Sequence, residues 1–352
     1  MTALPAVVLG AGKSGTQLAQ ALHSHPFVDL QAIVGGCSGS AADLGRHLGV
    51  AAFSESDSGW HMPVGGIVAV ASPHDRHVPQ VLAGLTAGSD VLVDKPVANN
   101  GLGFDHIAAM SAASGRRVSC GMVQRCSPDM LDCREHLRER RDQIHAVAVS
   151  QFLRRDPAYY AGWKGDPRVA GGGVLLNQAI HAVDLALHLT GVTPVTARAV
   201  LRRARPIQVE DHVHATVETE QGVLSLTATT CAAVEESQVI RVFLPTETVV
   251  IVGSETPRWR RVTSSSSSSV EDAIAELAAA PVPFGPGHAA WVDDAVQAWL
   301  SRTPSRYACE LEHVRASHEV VYAMYESAAL DGAAVPVGTR ASSRRPDPSD
   351  AS

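Results

Sequence analysis

Two short stretches carry the side chains best suited to proton transfer. The first is LVDKPVA (92–98), whose Lys95 is one of only three lysines in 352 residues, beside Lys13 and Lys164. The other 26 of the 29 basic residues are arginines. A guanidinium is always charged and forked, whereas an ammonium is a compact donor whose pKa its surroundings can tune. A lysine kept in so lysine-poor a chain is therefore a candidate for donating to, or stabilising, a developing charge. The second stretch is GGVLLNQAIHAVDLALHLTG (172–191), which reads as one long helix closed by Gly191. Asn177, His181, Asp184 and His188 follow i, i+4, i+7, i+11 and share one face, opposite Leu175, Val183 and Leu187. A histidine on such a face can move a proton near neutral pH. The pattern equally suits a satisfied structural His–Asp stripe, or a metal site from His181, Asp184 and His188 for which no fourth ligand presents itself.

A third stretch, VVLGAGKSG, sets Gly10, Gly12 and Gly15 in G-x-G-x-x-G order, with Lys13 and Ser14 inside the motif. It follows an apolar β-branched run and opens a helical pattern, the context in which this spacing points to dinucleotide binding. The first glycine allows the turn, the second lets backbone N–H groups approach a pyrophosphate, and the helix N-terminus faces the phosphates. An acid about 20 residues on would take the ribose 2′-hydroxyl of NAD. That position is Gly35 in IVGGCSGS, with neither a carboxylate nor an arginine at the strand end. Ser38 and Ser40 suit either cofactor weakly, and Asp43 would repel a 2′-phosphate. NAD is the favoured cofactor and NADP stays open.

The elements that must position these groups are legible as two textures. Up to about residue 123, strands at 6–10, 30–36, 65–72, 90–96 and 117–122 alternate with helical stretches, as in an α/β doubly wound parallel sheet. Beyond it, IHAVAVSQFL (144–153), HVHATVETE (212–220), GVLSLTATT (222–230) and VIRVFLP (239–245) alternate apolar and polar residues without helices between them. They predict an open, mostly antiparallel sheet in a second, α+β domain. The expected division is residues 1–123, 124–337 and a disordered polar tail at 338–352. The six serines at Ser264–Ser269 mark a surface loop.

Bulk properties narrow the function classes. A 45% hydrophobic, 18% charged chain of net charge −7 with no basic block argues against nucleic acid as a partner. The six cysteines contain no C-x-x-C pair and read as reduced thiols rather than zinc ligands. No apolar run reaches a membrane span, and MTALPAVVLG enters a strand without a basic leader, so a cytoplasmic location is expected.

Taken in order, VVLGAGKSG, ASPHDRHVPQVLAGLTAGSDVLVDKPVA (71–98) and GGGVLLNQAIHAVDL (171–185) resemble the glucose–fructose oxidoreductase / inositol dehydrogenase (Gfo/Idh/MocA) family. VEDHVHATVETEQG (209–222), GHAAWVDDAVQAWL (287–300) and VVYAMYESAALDG (320–332) extend the resemblance over nearly the whole chain. It implies an NAD(P)-dependent sugar or cyclitol dehydrogenase with an N-terminal Rossmann domain, a C-terminal domain with an open sheet, and association into dimers or tetramers. On this resemblance Lys95 matches the E-K-P lysine, with Asp94 for the usual glutamate and a Lys–Pro peptide that is often cis. Ser72, Pro73 and His77 fall where relatives touch the dinucleotide.

The same resemblance makes His181 the catalytic histidine of a D-x-x-x-H motif, with Asn177 where most members carry aspartate. An amide can orient the ring or a substrate hydroxyl but supplies no charge. The Asn variant resembles a subset that oxidises the 3-hydroxyl of amino sugars. The loop RRDPAYYAGWKGDPRVAGGG (154–173) resembles one that lines the substrate pocket, which offers Tyr160, Trp163 and Lys164. Arg125 and His288 are further substrate candidates. With the acidic balance, an aminoglycoside intermediate is a plausible substrate. A nucleotide-linked amino sugar, an inositol, a non-catalytic NAD(P)-sensing role and a hydrolase or lyase using the cofactor transiently are the alternatives.

Overall fold

The computed structural model describes residues 3–36, 39–279 and 286–338. Within the chain two compact units form, the first running to Val123 and the second beginning at Gln124. The first unit also takes in a later stretch that ends at Val314, which the sequence reading had placed in the second domain. The reason is α9 (Pro286–Ser301), whose Trp291 is buried and donates its indole N–H to Ser119 Oγ at 2.8 Å, at the edge of the first unit's sheet.

The first unit is built from β1 (Leu4–Leu9), α1 (Lys13–His23), β2 (Val28–Gly35), α2 (Ser40–Leu48), β3 (Ala51–Ser54), β4 (Ile67–Val70), α3 (His77–Thr86), β5 (Asp90–Val93), α4 (Gly101–Ser114) and β6 (Val118–Cys120). All six strands are parallel, in the order β3-β2-β1-β4-β5-β6. This is the doubly wound order, in which ligands bind beyond the carboxyl ends of the strands where the winding reverses. Val7, Val8, Ile67, Val68, Val91 and Leu92 are buried, as expected of strands covered on both faces. The short AAFS strand β3 carries too few apolar residues to announce itself and was absent from the sequence reading.

The second unit opens with α5 (Pro128–Arg138), capped by the Ser127 hydroxyl, and continues with β7 (Ala146–Phe152), the one-turn α6 (Pro167–Ala170) and α7 (Ile180–Thr190). Six more strands follow: β8 (Pro194–Arg202), β9 (His212–Thr219), β10 (Val223–Thr229), β11 (Val239–Phe243), β12 (Glu247–Val252) and β13 (Arg258–Thr263). Then come α8 (Val270–Ala279), α10 (Leu311–Ala329), which straddles the unit boundary, and the short β14 (Val335–Pro336). The eight strands lie in the order β13-β12-β11-β7-β10-β9-β8-β14, antiparallel except where β7 meets β10.

One face of this sheet is the core. Val147, Val149, Leu224, Leu226, Val213, Ala215, Val217, Ala197 and Ala199 are all buried on it. On the other face Ala148, Ser225 and Thr216 stand half exposed, with Arg198 and Val200 more so. At one end that second face is covered. There α8 lays Val270, Ile274 and Leu277 over Val239, Val250 and Val252. The sequence reading missed α5, α8 and the strands at both ends of the sheet, and residues 339–352 of its expected tail lie outside the described residues.

Candidate active-site residues

In the first unit the glycine turn has the asymmetry that a phosphate cradle needs. Gly10 follows β1 at φ +107°, and a Cβ there would stand 2.4 Å from the Ala71 carbonyl oxygen. A Cβ on Gly15 would stand 2.0 Å from the Gly10 carbonyl oxygen, so the helix packs against the turn only because both are glycine. At Gly12, among the described residues, a Cβ would meet nothing within 4 Å beyond its own chain neighbours and helix backbone. Gly12 is also the N-cap of α1, with no side-chain cap and no acid in the first turn. An open side and uncapped N–H groups fit a pyrophosphate. Lys13 and Ser14 open the helix beside it.

Two loops meet this turn at the carboxyl end of the sheet, one after β4 and one after β5. His77 is buried between two carbonyls, with Nδ1 at 2.7 Å from Pro96 O and Nε2 at 2.9 Å from Ser72 O. Burial lowers its pKa against the pull of those carbonyls and of Asp94. The ring thereby ties the loop after β4, which holds Ser72 and Pro73, to the Lys95–Pro96 peptide, which is cis. Ser72 gives its hydroxyl to Gln80 Oε1 at 2.7 Å.

Asp94 is the common neighbour. Its Oδ1 accepts the Lys95 backbone N–H at 2.8 Å. Burial would raise its pKa, but Lys95, His288 and His77, with a hydrogen bond from Ser14, hold it below the usual carboxylate range. Ser14, His77, the adjacent Asp94 and Lys95, and His288, chosen from sequence at four separate places, thus share one electrostatic neighbourhood. Ser38 lies outside the described residues. β2 ends at Gly35 without an acid, and Arg46 is paired with Asp43 on α2.

In the second unit the long helix read from sequence is two structures. Val174–Ala179 is a π-helical turn and only Ile180–Thr190 is α-helical, so Asn177 lies in the first part and His181 in the second. The expected apolar back is in fact an apolar surround, since all of residues 170–180 are buried. Asn177 Nδ2 donates to Tyr159 Oη at 3.2 Å, and Gln178 Nε2 donates to the same oxygen at 2.9 Å. His181 and His188 are partly exposed.

The stripe's acid has a different task. Asp184 takes a bidentate grip from Arg125, Nε to Oδ2 at 2.7 Å and Nη2 to Oδ1 at 2.6 Å, and a third bond from Ser317 Oγ at 2.7 Å. Both side chains are 2% exposed. Asp184 is thus turned to an internal cation, and among the described residues no cluster of His, Cys, Asp or Glu could hold a metal ion. Arg125, expected to touch substrate, is an interior strut in this unit.

The loop 154–173 also departs from expectation. Tyr160 is buried, with its hydroxyl 2.6 Å from Thr230 Oγ1 and its ring under Arg205 at 5.1 Å. Burial pushes its pKa up. The tyrosine that meets Asn177 is Tyr159, and Lys164 Nζ lies 4.2 Å from its ring centroid and 5.9 Å from that of Trp163. Sequence reasoning named Tyr160 and passed over Tyr159, since nothing in the local sequence separates the two. It also missed Glu210, a buried acid whose Oε1 accepts N–H groups of Gly173 and Leu175 and the hydroxyl of Tyr325.

Comparison with known proteins agrees with the geometry of each unit. Residues 4–122 match the oxidoreductase family with an NAD-binding Rossmann fold, and residues 143–256 match the GFO/IDH/MocA C-terminal domain. Inositol 2-dehydrogenase 2 of Saccharopolyspora erythraea is 30% identical over 195 residues, 52% of this chain and 55% of that protein. The chain spans about half the length of the curated relatives it matches. Among solved structures, GenD2 from gentamicin A biosynthesis, in complex with NAD, superposes with a TM-score of 0.79 at 22% identity, covering 96% of this chain and 97% of its own. Levoglucosan dehydrogenase with NADH and L-sorbose gives 0.76 at 19% identity, covering 96% and 99%. The chain belongs to the Gfo/Idh/MocA family of NAD-binding oxidoreductases.

Proposed function

We propose that the chain is an NAD-dependent dehydrogenase that oxidises a secondary hydroxyl, at the 3-position, of a sugar or amino sugar, with an aminoglycoside intermediate as the substrate class. The observation that carries the reading is the gathering of Ser14, His77, Asp94, Lys95 and His288 around the glycine turn. Bound NAD supplies the hydride acceptor. Lys95 donates to the reacting oxygen and stabilises its developing charge. His181 takes the hydroxyl proton as the carbon gives up its hydride, and Asn177 orients the ring or the substrate. Trp163, Lys164 and His288 supply further substrate contacts, with Arg125 and Tyr160 acting through the residues they hold.

The aminoglycoside reading is supported by Asn177 in place of an acid and by the likeness in fold to GenD2. Inositol oxidation is the second reading, favoured by the inositol dehydrogenase relative. The half-exposed sheet face supports a homo-oligomer, a dimer or tetramer. Among the described residues no helix is long and apolar enough to cross a membrane, and the proposed location is the cytoplasm.

The test is to follow absorbance at 340 nm with NAD or NADP and a panel of aminoglycosides, nucleotide-linked amino sugars and inositols. Turnover should appear with NAD and an amino sugar. Lys95→Ala and His181→Ala should each lower kcat by about 10²–10⁴-fold while still binding NADH. Near-normal kcat in either variant would remove that residue from the reaction. Turnover of inositol alone would decide for the second reading.

A further inference from the structure

The helix that carries Asn177 and His181 begins against a buried acid. Glu210 Oε1 receives three donors: the N–H of Gly173 at 2.8 Å, the N–H of Leu175 at 3.2 Å and the hydroxyl of Tyr325 at 2.6 Å. The N–H between them, that of Val174, goes to the Glu210 backbone carbonyl at 2.9 Å. Three successive amides at the start of the π-helical turn therefore end on one residue. The first N–H groups of any helix lack intrahelical acceptors, and an acid at that end also suits the helix dipole.

This approach depends on the glycine run 171–173. A Cβ on Gly173 would stand 1.8 Å from the Glu210 carbonyl oxygen, and one on Gly172 would stand 2.0 Å from Tyr325 Oη. Burial pushes the Glu210 pKa up, against the pull of Tyr325 and the amides. Besides its own backbone N–H, this interior carboxyl takes its donors from one helix start and one tyrosine, which makes it a fastening. A second fastening lies along the same helix, where Ser317 reaches Asp184. Ser317 and Tyr325 are eight residues apart on α10, just over two turns, so one face of α10 holds the helix at two points. Asn177 and His181 lie between those points.

We propose that Glu210 is a positioning residue: latched by Tyr325 to the glycine run, it fixes the π-helical turn and so sets where Asn177 and His181 stand. The wide turn is the part of the helix with least intrinsic support, since π geometry persists only where its surroundings impose it. Glu210 touches neither substrate nor cofactor in this account. Its effect on proton transfer passes through the backbone of 173–175.

The inference rests on the dehydrogenase reading for its kinetic readout, so a second readout is independent of it. Glu210→Ala, Glu210→Gln and Tyr325→Phe would be compared by kcat and KM, by NADH affinity, by thermal melting, and by the NMR shift of the His181 Cε1–H. Glu210→Ala should lower kcat by about 10²-fold, as an ångström-scale misplacement does. Its KM should change far less, its NADH affinity should stay within twofold, and the His181 resonance should move. Glu210→Gln keeps the acceptor oxygen and should restore most of kcat. Tyr325→Phe should lose several-fold.

A folded Glu210→Ala with kcat within threefold of the parent and an unmoved His181 resonance overturns the proposal, and so does a Glu210→Gln as slow as the alanine variant. If Glu210→Ala does not fold, Tyr325→Phe decides, and unchanged kcat with an unmoved resonance overturns it. A parent protein that binds NADH but turns over no sugar defeats the dehydrogenase reading alone, and the His181 shift then still tests the latch.

Discussion

Arg125 and Asp184 give the sharpest test of how the second unit is held together. Their two hydrogen bonds measure 2.7 and 2.6 Å, Ser317 adds one of 2.7 Å, and both side chains are 2% exposed. Breaking such a pair leaves an uncompensated buried charge, at a cost of about 3–5 kcal/mol, whereas replacing both partners by apolar groups is often neutral or stabilising. Arg125→Met should therefore lower stability by about 3–5 kcal/mol, and Asp184→Leu by a similar amount. The double variant should recover most of the loss, with a coupling of at least ~2 kcal/mol, inside the range for contacting residues. Urea unfolding followed by far-UV circular dichroism measures all three. Singles below ~1 kcal/mol each that simply add would refute the strut, since that is the size of an exposed pair. An Arg125→Met of parental stability with abolished turnover would return Arg125 to the substrate contacts.

The glycine turn makes a paired prediction. Gly12→Ala should fold normally and bind NAD more weakly, whereas Gly10→Ala and Gly15→Ala should lose stability, because their Cβ atoms would stand 2.4 and 2.0 Å from backbone oxygens. Melting curves beside NADH titrations separate the two effects. His77 has a folded pKa below its ordinary 6.5, so below that pH the unfolded chain takes up the proton first. Its contribution to stability should be complete above about pH 6.5 and decline as the pH falls toward the folded value. Melting temperatures from pH 8 to 5 should show this slope, and His77→Gln should flatten it. Tyr159→Phe should lower kcat/KM by roughly 3–10-fold, the worth of one net hydrogen bond or somewhat more, through a loosened Asn177. NADH affinity should not change, and a Tyr159→Phe as active as the parent would detach the phenol from the site.

What could be read from the sequence was what is local. The doubly wound parallel sheet of the first unit was legible in its strand–helix alternation, and motifs at strand ends marked candidate site residues because such a sheet places those ends together whatever the intervening residues. The second unit was harder. Strand β8 mixes Arg198 and Arg202 with valines, so its alternation is blurred by one exposed face. Helix α5 is nearly half charged and buries only Met130, Cys133 and Leu137. Residues four apart, such as Asn177 and His181, fall near one face in both π and α geometry, so periodicity does not expose the wide turn. Arg125 and Asp184 are 59 residues apart, and a salt bridge across that distance leaves no mark on either segment. The contact of Tyr159 with Asn177 was hidden for a related reason: which of two neighbouring tyrosines turns inward depends on Thr230 and Arg205, far along the chain.

The helix α8 leaves the open sheet lopsided. It closes the face over β11 to β13 and leaves β7, β10, β9 and β8, with the two-residue β14 at their margin, as a strip about 15–20 Å across at the usual strand spacing. A second sheet laid face to face against that strip cannot be centred on the whole sheet, since α8 stands in the way at one side. Were two copies to pair through that strip about a twofold axis, each would offset toward β8 and carry its own α8 as a fender at the rim. Deleting α8 would widen the strip and expose Val239, Val250 and Val252, turning a bounded footprint into an adhesive one.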